Sequence, residues 1–194
     1  MSNRFTSGSE GKIAQDLLRM DEIITEKAPA YTGEEVRISI DDLRWRRFRT
    51  GDSFCKAILC LYAYHEPKSF QSNSLVKLDN SWLRIATSKN YHHFFPKDHL
   101  AKAGEFSDEQ ANSILNITLV DDYLNKRKIR AKAPSIYMQD FAKKNKRIQE
   151  TMRTHLIDDL DAFGIWNDNY ATFIEQRGRE VLKELESRLR PDLS

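Results

Sequence analysis

Two histidines and two asparagines stand at spacings that could do chemistry on a phosphate. They are His92 and His93 in NYHHFFPKDHL (90–100), then Asn116, then Asn125 nine residues further on. Hydrolysis of a phosphodiester needs a water relieved of its proton, and an imidazole that titrates near neutrality suits that task. It also needs a cation beside the scissile phosphate, to offset charge growing on the phosphoryl and leaving oxygens. A second imidazole and a side-chain amide oxygen can hold such a cation and leave coordination sites for water and phosphate. Lys97 and the run Lys126, Arg127, Lys128, Arg130 and Lys132 would grip the backbone on either side.

Each of these residues also has a plainer use. A histidine pair at a strand end can be satisfied by core hydrogen bonds. Asn116 alone reads as a turn residue, and KRKIRAK alone as a solvated face. His99 is either a third ligand or a solvent-facing helix position, while His65 and His155 read as structural. Asp121 and Asp122 fit a helix cap better than a metal site. Successive side chains on a regular strand point to opposite faces. His92 and His93 can therefore serve one site only if the strand bends, bulges or ends beside them, and Pro96 is consistent with an ending.

The segments HHFFP and NITLVDDYLN together resemble the HNH, or His-Me finger (ββα-metal), nucleases. The wider text NYHHFFPKDHL…SILNITLVDDYLNKRKIRAKAPSIYM is similar to the nuclease module at the C-terminal end of GmrSD-type (type IV) restriction enzymes. SFCKAILCLYA before it and YATFIEQRGREVLKELESRL after it resemble the helices around that module, so the likeness covers about residues 40–190. The resemblance implies His93 as the general base, and His92 and Asn125 as ligands of one divalent ion. That ion would be Mg²⁺ or Mn²⁺ first, with Ni²⁺ or Zn²⁺ as softer candidates. It implies Asn116 as the central Asn that steadies the loop and the base. The implied reaction is metal-dependent cleavage of DNA to 5′-phosphate and 3′-hydroxyl ends, in restriction or anti-phage defence. The alternative, from another class, is a non-catalytic nucleic-acid-binding or assembly module that keeps the HNH scaffold. GmrSD-type enzymes carry an N-terminal NTP-binding domain with a phrase like Asp-Gly-Gln-Gln-Arg. Nothing in this sequence matches it, so the expectation is either the C-terminal part of a longer protein or a stand-alone or split subunit, with an N-terminal NTP-binding domain or separate subunit as a candidate partner.

The elements that must position these residues read as α+β: a mostly helical domain around a small ββα-metal finger. The 194 residues carry 40% hydrophobic side chains, too many for a disordered chain. The net charge of +2 does not announce a nucleic-acid binder, so the local clusters RWRRFR (44–49), NKRKIRAK (125–132) and KKNKR (143–147) weigh more. RWRRFR can stack on or grip a nucleic acid, or pack amphipathically with its arginines reaching out to solvent. The two cysteines, Cys55 and Cys60, read as buried free thiols on one helix, in a reducing cytoplasm. No apolar run reaches the length of a membrane span, and the polar N-terminus lacks a signal-peptide core.

Ile13, Leu17, Leu18, Ile23 and Ile24, after a Ser/Thr/Gly opening, predict a first helix stopped by Pro29. The Asp/Ser cap signal at Asp52–Ser53 predicts a mostly buried helix that runs apolar until Pro67. Alternation of Val36, Ile38 and Ile40 predicts a short strand. Leu75–Leu78, Trp82–Ala86 and Ile117–Val120 look β-like. Ser107-x-x-Gln110 is a capping box for one helix, and Tyr123, Leu124 and Asn125 belong to a later one. Tyr137 to about Arg190 should be nearly all helix, interrupted near Gly164. The organisation expected is an N-terminal helical segment (1–70), the finger (71–137) and C-terminal helices (138–194), packed as one compact domain.

Overall fold

Local capping sets where the helices of this computed structural model begin. It describes residues 8–27, 38–78, 91–120, 129 and 131–189. The chain forms two compact units, Met1–Ile38 and Ser39–Ser194. In the first, α1 (Ser9–Ile24) follows Gly8, and the Thr25 hydroxyl closes its last turn on the Asp21 carbonyl at 2.8 Å.

The second unit opens with α2 (Ile40–Arg44). The Ser39 hydroxyl accepts from the Asp42 N–H while the Asp42 carboxylate accepts from the Ser39 N–H, a capping box. This local pairing overrides the apolar alternation, so Ile40 starts a helix where a strand was predicted; Val36 lies outside the described residues. The Asp52 carboxylate caps α3 (Ser53–Tyr64) by accepting from the Phe54 and Cys55 N–H groups. Cys55 is buried in α3, but Cys60 is exposed, so only one of the two thiols fits the buried reading.

β1 (Tyr91–His93) and β2 (Ile117–Leu119) form an antiparallel hairpin with Tyr91 opposite Leu119, His92 opposite Thr118 and His93 opposite Ile117. Between them lie α4 (Lys97–Ala103), α5 (Asp108–Ala111) and a 3₁₀ turn at Ile114–Asn116. Gly104, at φ 72°, ends α4 in the left-handed region that favours glycine. The Ser107–Gln110 capping box is present at α5. Then come α6 (Pro134–Lys144), α7 (Ile148–Arg153) and α8 (Tyr170–Leu189). The break before α8 is longer than predicted, because turns fill 154–169. There Asp168 leaves helical geometry at φ 54° and its carboxylate accepts from the Ser135 N–H and hydroxyl in the first turn of α6.

The described residues are thus α+β and mostly helical around one two-stranded sheet. Leu75 makes an isolated bridge to Lys68 rather than a strand. Trp82–Ala86 and the helix expected around Tyr123–Asn125 lie outside the described residues. Among the described residues no helix is long and apolar enough to cross a membrane.

The core is aromatic where it meets the hairpin. Phe94 and Phe95, fully buried, leave the end of β1 and pack on α8. Phe94 stacks on Phe173 with ring centroids 4.9 Å apart, and Phe95 lies 5.2 Å from Tyr170. Burying each such ring is worth about 1.5–3 kcal/mol. The Tyr137 hydroxyl, from α6, donates to the Phe94 carbonyl at 2.5 Å. Close approach of α2 to α8 is possible because residue 178 is glycine. A Cβ there would meet Ile40 Cδ1 at 2.5 Å.

Candidate active site at the hairpin

Asn116 is fully buried and all of its polar side-chain atoms are used. Its Oδ1 accepts from the Phe95 N–H at 2.8 Å, and its Nδ2 donates to the Phe95 and Ala111 carbonyls at 2.9 and 2.8 Å. Its own carbonyl accepts from the Phe94 N–H at 2.8 Å. One amide therefore ties the residues just after β1 to the residues just before β2, a clamp across the loop that joins them.

A second fastener reaches in from α8. Arg177 is fully buried, and its Nη1 donates to the Leu115 and Ile117 carbonyls, on either side of Asn116, at 2.6 and 2.7 Å. Its guanidinium lies 4.6 Å over the Tyr62 ring and 5.9 Å from that of Phe173, which offsets part of the cost of burying a charge. Burial lowers its pKa all the same.

The clamped strand end carries the two histidines. Their pairing with β2 is regular and unbulged, so the rings leave β1 on opposite faces. His92 is only 4% exposed and faces inward, 6.4 Å from the Tyr137 ring. His93 faces outward and is half-buried. Its Nε2 lies 2.8 Å from Asn112 Oδ1. Burial pushes the His93 pKa below the usual value and Lys97 adds to this, while the Asn112 bond and Asp108 oppose it.

Of the basic residues, Lys97 is close to His93 and forms an ion pair with Asp108 at 2.5 Å. Lys132 stands 3.6 Å from Asp140. Asn125, Lys126, Arg127, Lys128 and Arg130 lie outside the described residues, as do Asp121 and Asp122. His99 is half-buried on α4. Among the described residues no three His, Cys, Asp or Glu side chains cluster as a metal site would require. His65 bonds Glu184 at 3.2 Å and His155 bonds the Lys68 carbonyl at 2.8 Å, both far along the chain from the hairpin. Three of the four RWRRFR arginines form ion pairs at or near the surface: Arg44 with Glu175 (2.8 Å), Arg46 with Asp52 (2.7 Å) and, exposed, Arg47 with Glu109 (3.0 Å). These pairs are compatible with both the packing use and the nucleic-acid use of this run.

Sequence reasoning missed Asn112, Arg177 and Tyr137. Asn112 and Arg177 act on partners far along the chain and leave no local pattern, whereas Tyr137 closes the PSIY stretch that carries the resemblance, which assigns it no role.

Residues 34–184 match the family described as GmrSD restriction endonucleases, C-terminal domain. The chain belongs to this family. As a GmrSD C-terminal domain it is a restriction-endonuclease domain, and its class of activity is that of a nuclease. The matched span holds the whole hairpin, the Asn116 clamp, Asn112 and Arg177, while α1 precedes it. No curated protein and no solved structure matches the chain.

Proposed function

We propose that this GmrSD C-terminal domain is a metal-dependent, HNH-type endonuclease that hydrolyses DNA phosphodiester bonds in restriction of invading or modified DNA. The observation that carries this is the clamped strand end. Asn116 fixes the backbone just past His93, and His93 stands half-buried with a depressed pKa. An imidazole that is neutral at physiological pH and held in place can take a proton from an attacking water. Lys97 beside it, with Lys126, Arg127, Lys128, Arg130 and Lys132, would contact backbone phosphates.

The donor set His92 and Asn125, one imidazole nitrogen and one amide oxygen, suits a single divalent ion that keeps water ligands. Such an ion, Mg²⁺ or Mn²⁺ in the first place and Ni²⁺ or Zn²⁺ otherwise, would offset the charge that develops on the phosphate. The hairpin supports the base more directly than it supports the metal ligand, since His92 faces inward and His93 outward. An N-terminal NTP-binding domain or separate subunit would select the target, and the cytoplasm is the expected compartment.

The test is cleavage of supercoiled plasmid with each of the four ions and with a chelator, and with RNA as competitor. Wild type should cut only with metal and His93→Ala should not cut; equal cutting by that variant would sink the assignment. The opposite facing of the two imidazoles favours one second reading, a nucleic-acid-binding module that keeps the scaffold without cleaving. That module would bind DNA with strong salt dependence and release no nicked product with any ion.

A further inference from the structure

Asn112 is the C-cap residue of α5 and is held at both ends by Phe48. The Phe48 N–H donates to the Asn112 carbonyl at 2.7 Å, and Asn112 Nδ2 donates to the Phe48 carbonyl at 3.2 Å. The second bond decides which way the amide points. A carbonyl can only accept, so the NH₂ group must face Phe48 and the oxygen must face away from it. Flipping the amide would set two oxygens against each other and leave a donor pointing at the ring. The oxygen faces His93, 2.8 Å from Nε2. An amide oxygen can only accept as well, so His93 must carry its proton on Nε2.

We propose that Asn112 is a positioning residue. It holds His93 in one ring orientation as the Nε2–H tautomer and leaves Nδ1 as the nitrogen that takes the proton. No described residue hydrogen-bonds Nδ1. When Nδ1 takes a proton from water, the ring becomes an imidazolium whose Nε2–H bond to Asn112 becomes charge-assisted and stronger. Phe48 thus sets the amide, the amide sets the ring, and the ring presents one lone pair. The order runs through three elements: the segment around Arg47, which bridges to Ser113, the end of α5, and β1. This role rests on His93 being the base.

The experiment separates the two ideas. Side-chain ¹⁵N correlation spectra of the full, metal-free chain at mildly alkaline pH report the state of the His93 ring, assigned by the signal missing from His93→Gln. Wild type should show a pyrrole-like Nε2 with a slowly exchanging N–H proton, and a pyridine-like Nδ1. Asn112→Leu, similar in volume but unable to accept, should lose that slow proton. It should also lower the turnover of plasmid cleavage on the order of ten- to a hundredfold, with little change in the DNA concentration needed. Asn112→Asp still accepts from Nε2 and should keep the slow proton, with turnover above that of Asn112→Leu but below wild type, because its second oxygen meets the Phe48 carbonyl. A wild-type ring protonated on Nδ1 overturns the inference without any variant. So does an Asn112→Leu ring that still holds a slow Nε2–H, or normal cleavage by that variant while His93→Gln is dead. If His93→Gln itself cleaves normally, the base assignment fails, and the spectra still report what Asn112 does to the ring.

Discussion

Asn112 and Asn116 are four residues apart and carry the same side chain, yet they spend it differently. Asn116 is sealed in, and all three of its side-chain bonds go to backbone. Asn112 is half-buried and divides its amide between a backbone carbonyl and an imidazole. The first is a fastener whose loss would be felt by the fold. The second connects the fold to a titratable ring. A buried amide that meets only backbone says where the chain must go, whereas one that meets a half-buried histidine says which proton is available.

This contrast is sharpest where its two sides can be broken separately. The largest effect should come from the outward ring. His93→Ala should lower cleavage by roughly 10²–10⁴-fold, the range of a lost general base, while leaving the urea midpoint nearly unchanged. Next is the fastener. Asn116→Leu leaves the Phe95 N–H and the Phe95 and Ala111 carbonyls unsatisfied in the core. It should cost about 3–5 kcal/mol in urea unfolding, and cleavage should fall only as the folded fraction falls. If the two variants exchange these signatures, the division of labour is wrong.

A third test concerns a histidine that shares neither job. His155 is fully packed against Phe70, with ring centroids 4.9 Å apart, and donates to the Lys68 carbonyl. Burial drops its pKa to about 4. The unfolded chain, with histidine near its ordinary value of about 6.5, therefore binds a proton in this window that the folded chain refuses. Stability should be full above about pH 6.5 and fall by about 1.4 kcal/mol per pH unit as pH drops toward 4, a total of about 3 kcal/mol. Urea titrations of wild type and His155→Phe at several pH values check this; the variant should lose that slope. The smallest effect belongs to Arg47→Ala, which breaks an exposed ion pair with Glu109. It should change stability by less than about 1 kcal/mol and leave cleavage alone. A large loss of DNA binding there would return the RWRRFR run to the nucleic-acid face.

Much of this was legible in the sequence where the determining contact is local. The capping box at Ser107–Gln110 and the strand at Ile117–Leu119 are set by neighbours a few residues away. So is Phe94–Phe95, two large apolar residues directly after the histidines that become the anchor of the strand end. Locality also misled. Val36, Ile38 and Ile40 alternate like a strand, but the Ser39–Asp42 capping box starts a helix among them. What stayed hidden depends on distance along the chain. Asn112 reads as an ordinary polar residue until Phe48 and His93, 64 and 19 residues away, are brought to it. Arg177 sits between Phe173, Ile174 and Val181 in a stripe that reads as apolar, so nothing in its neighbourhood announces a buried cation. The facing of His92 and His93 followed from strand alternation alone, and the regular register keeps them apart.

The grip of Arg177 on the carbonyls of Leu115 and Ile117, about sixty residues upstream, makes the hairpin motif non-portable. Residues 91–120, spliced into another protein, would carry both histidines and Asn116 but leave behind the bolt from α8 and the Tyr137 hydroxyl from α6. A chain trimmed before Tyr170 would keep every residue of the hairpin and still lose the support that aims it. The smallest working unit of this domain is therefore set by its last helix, not by the outline of its motif.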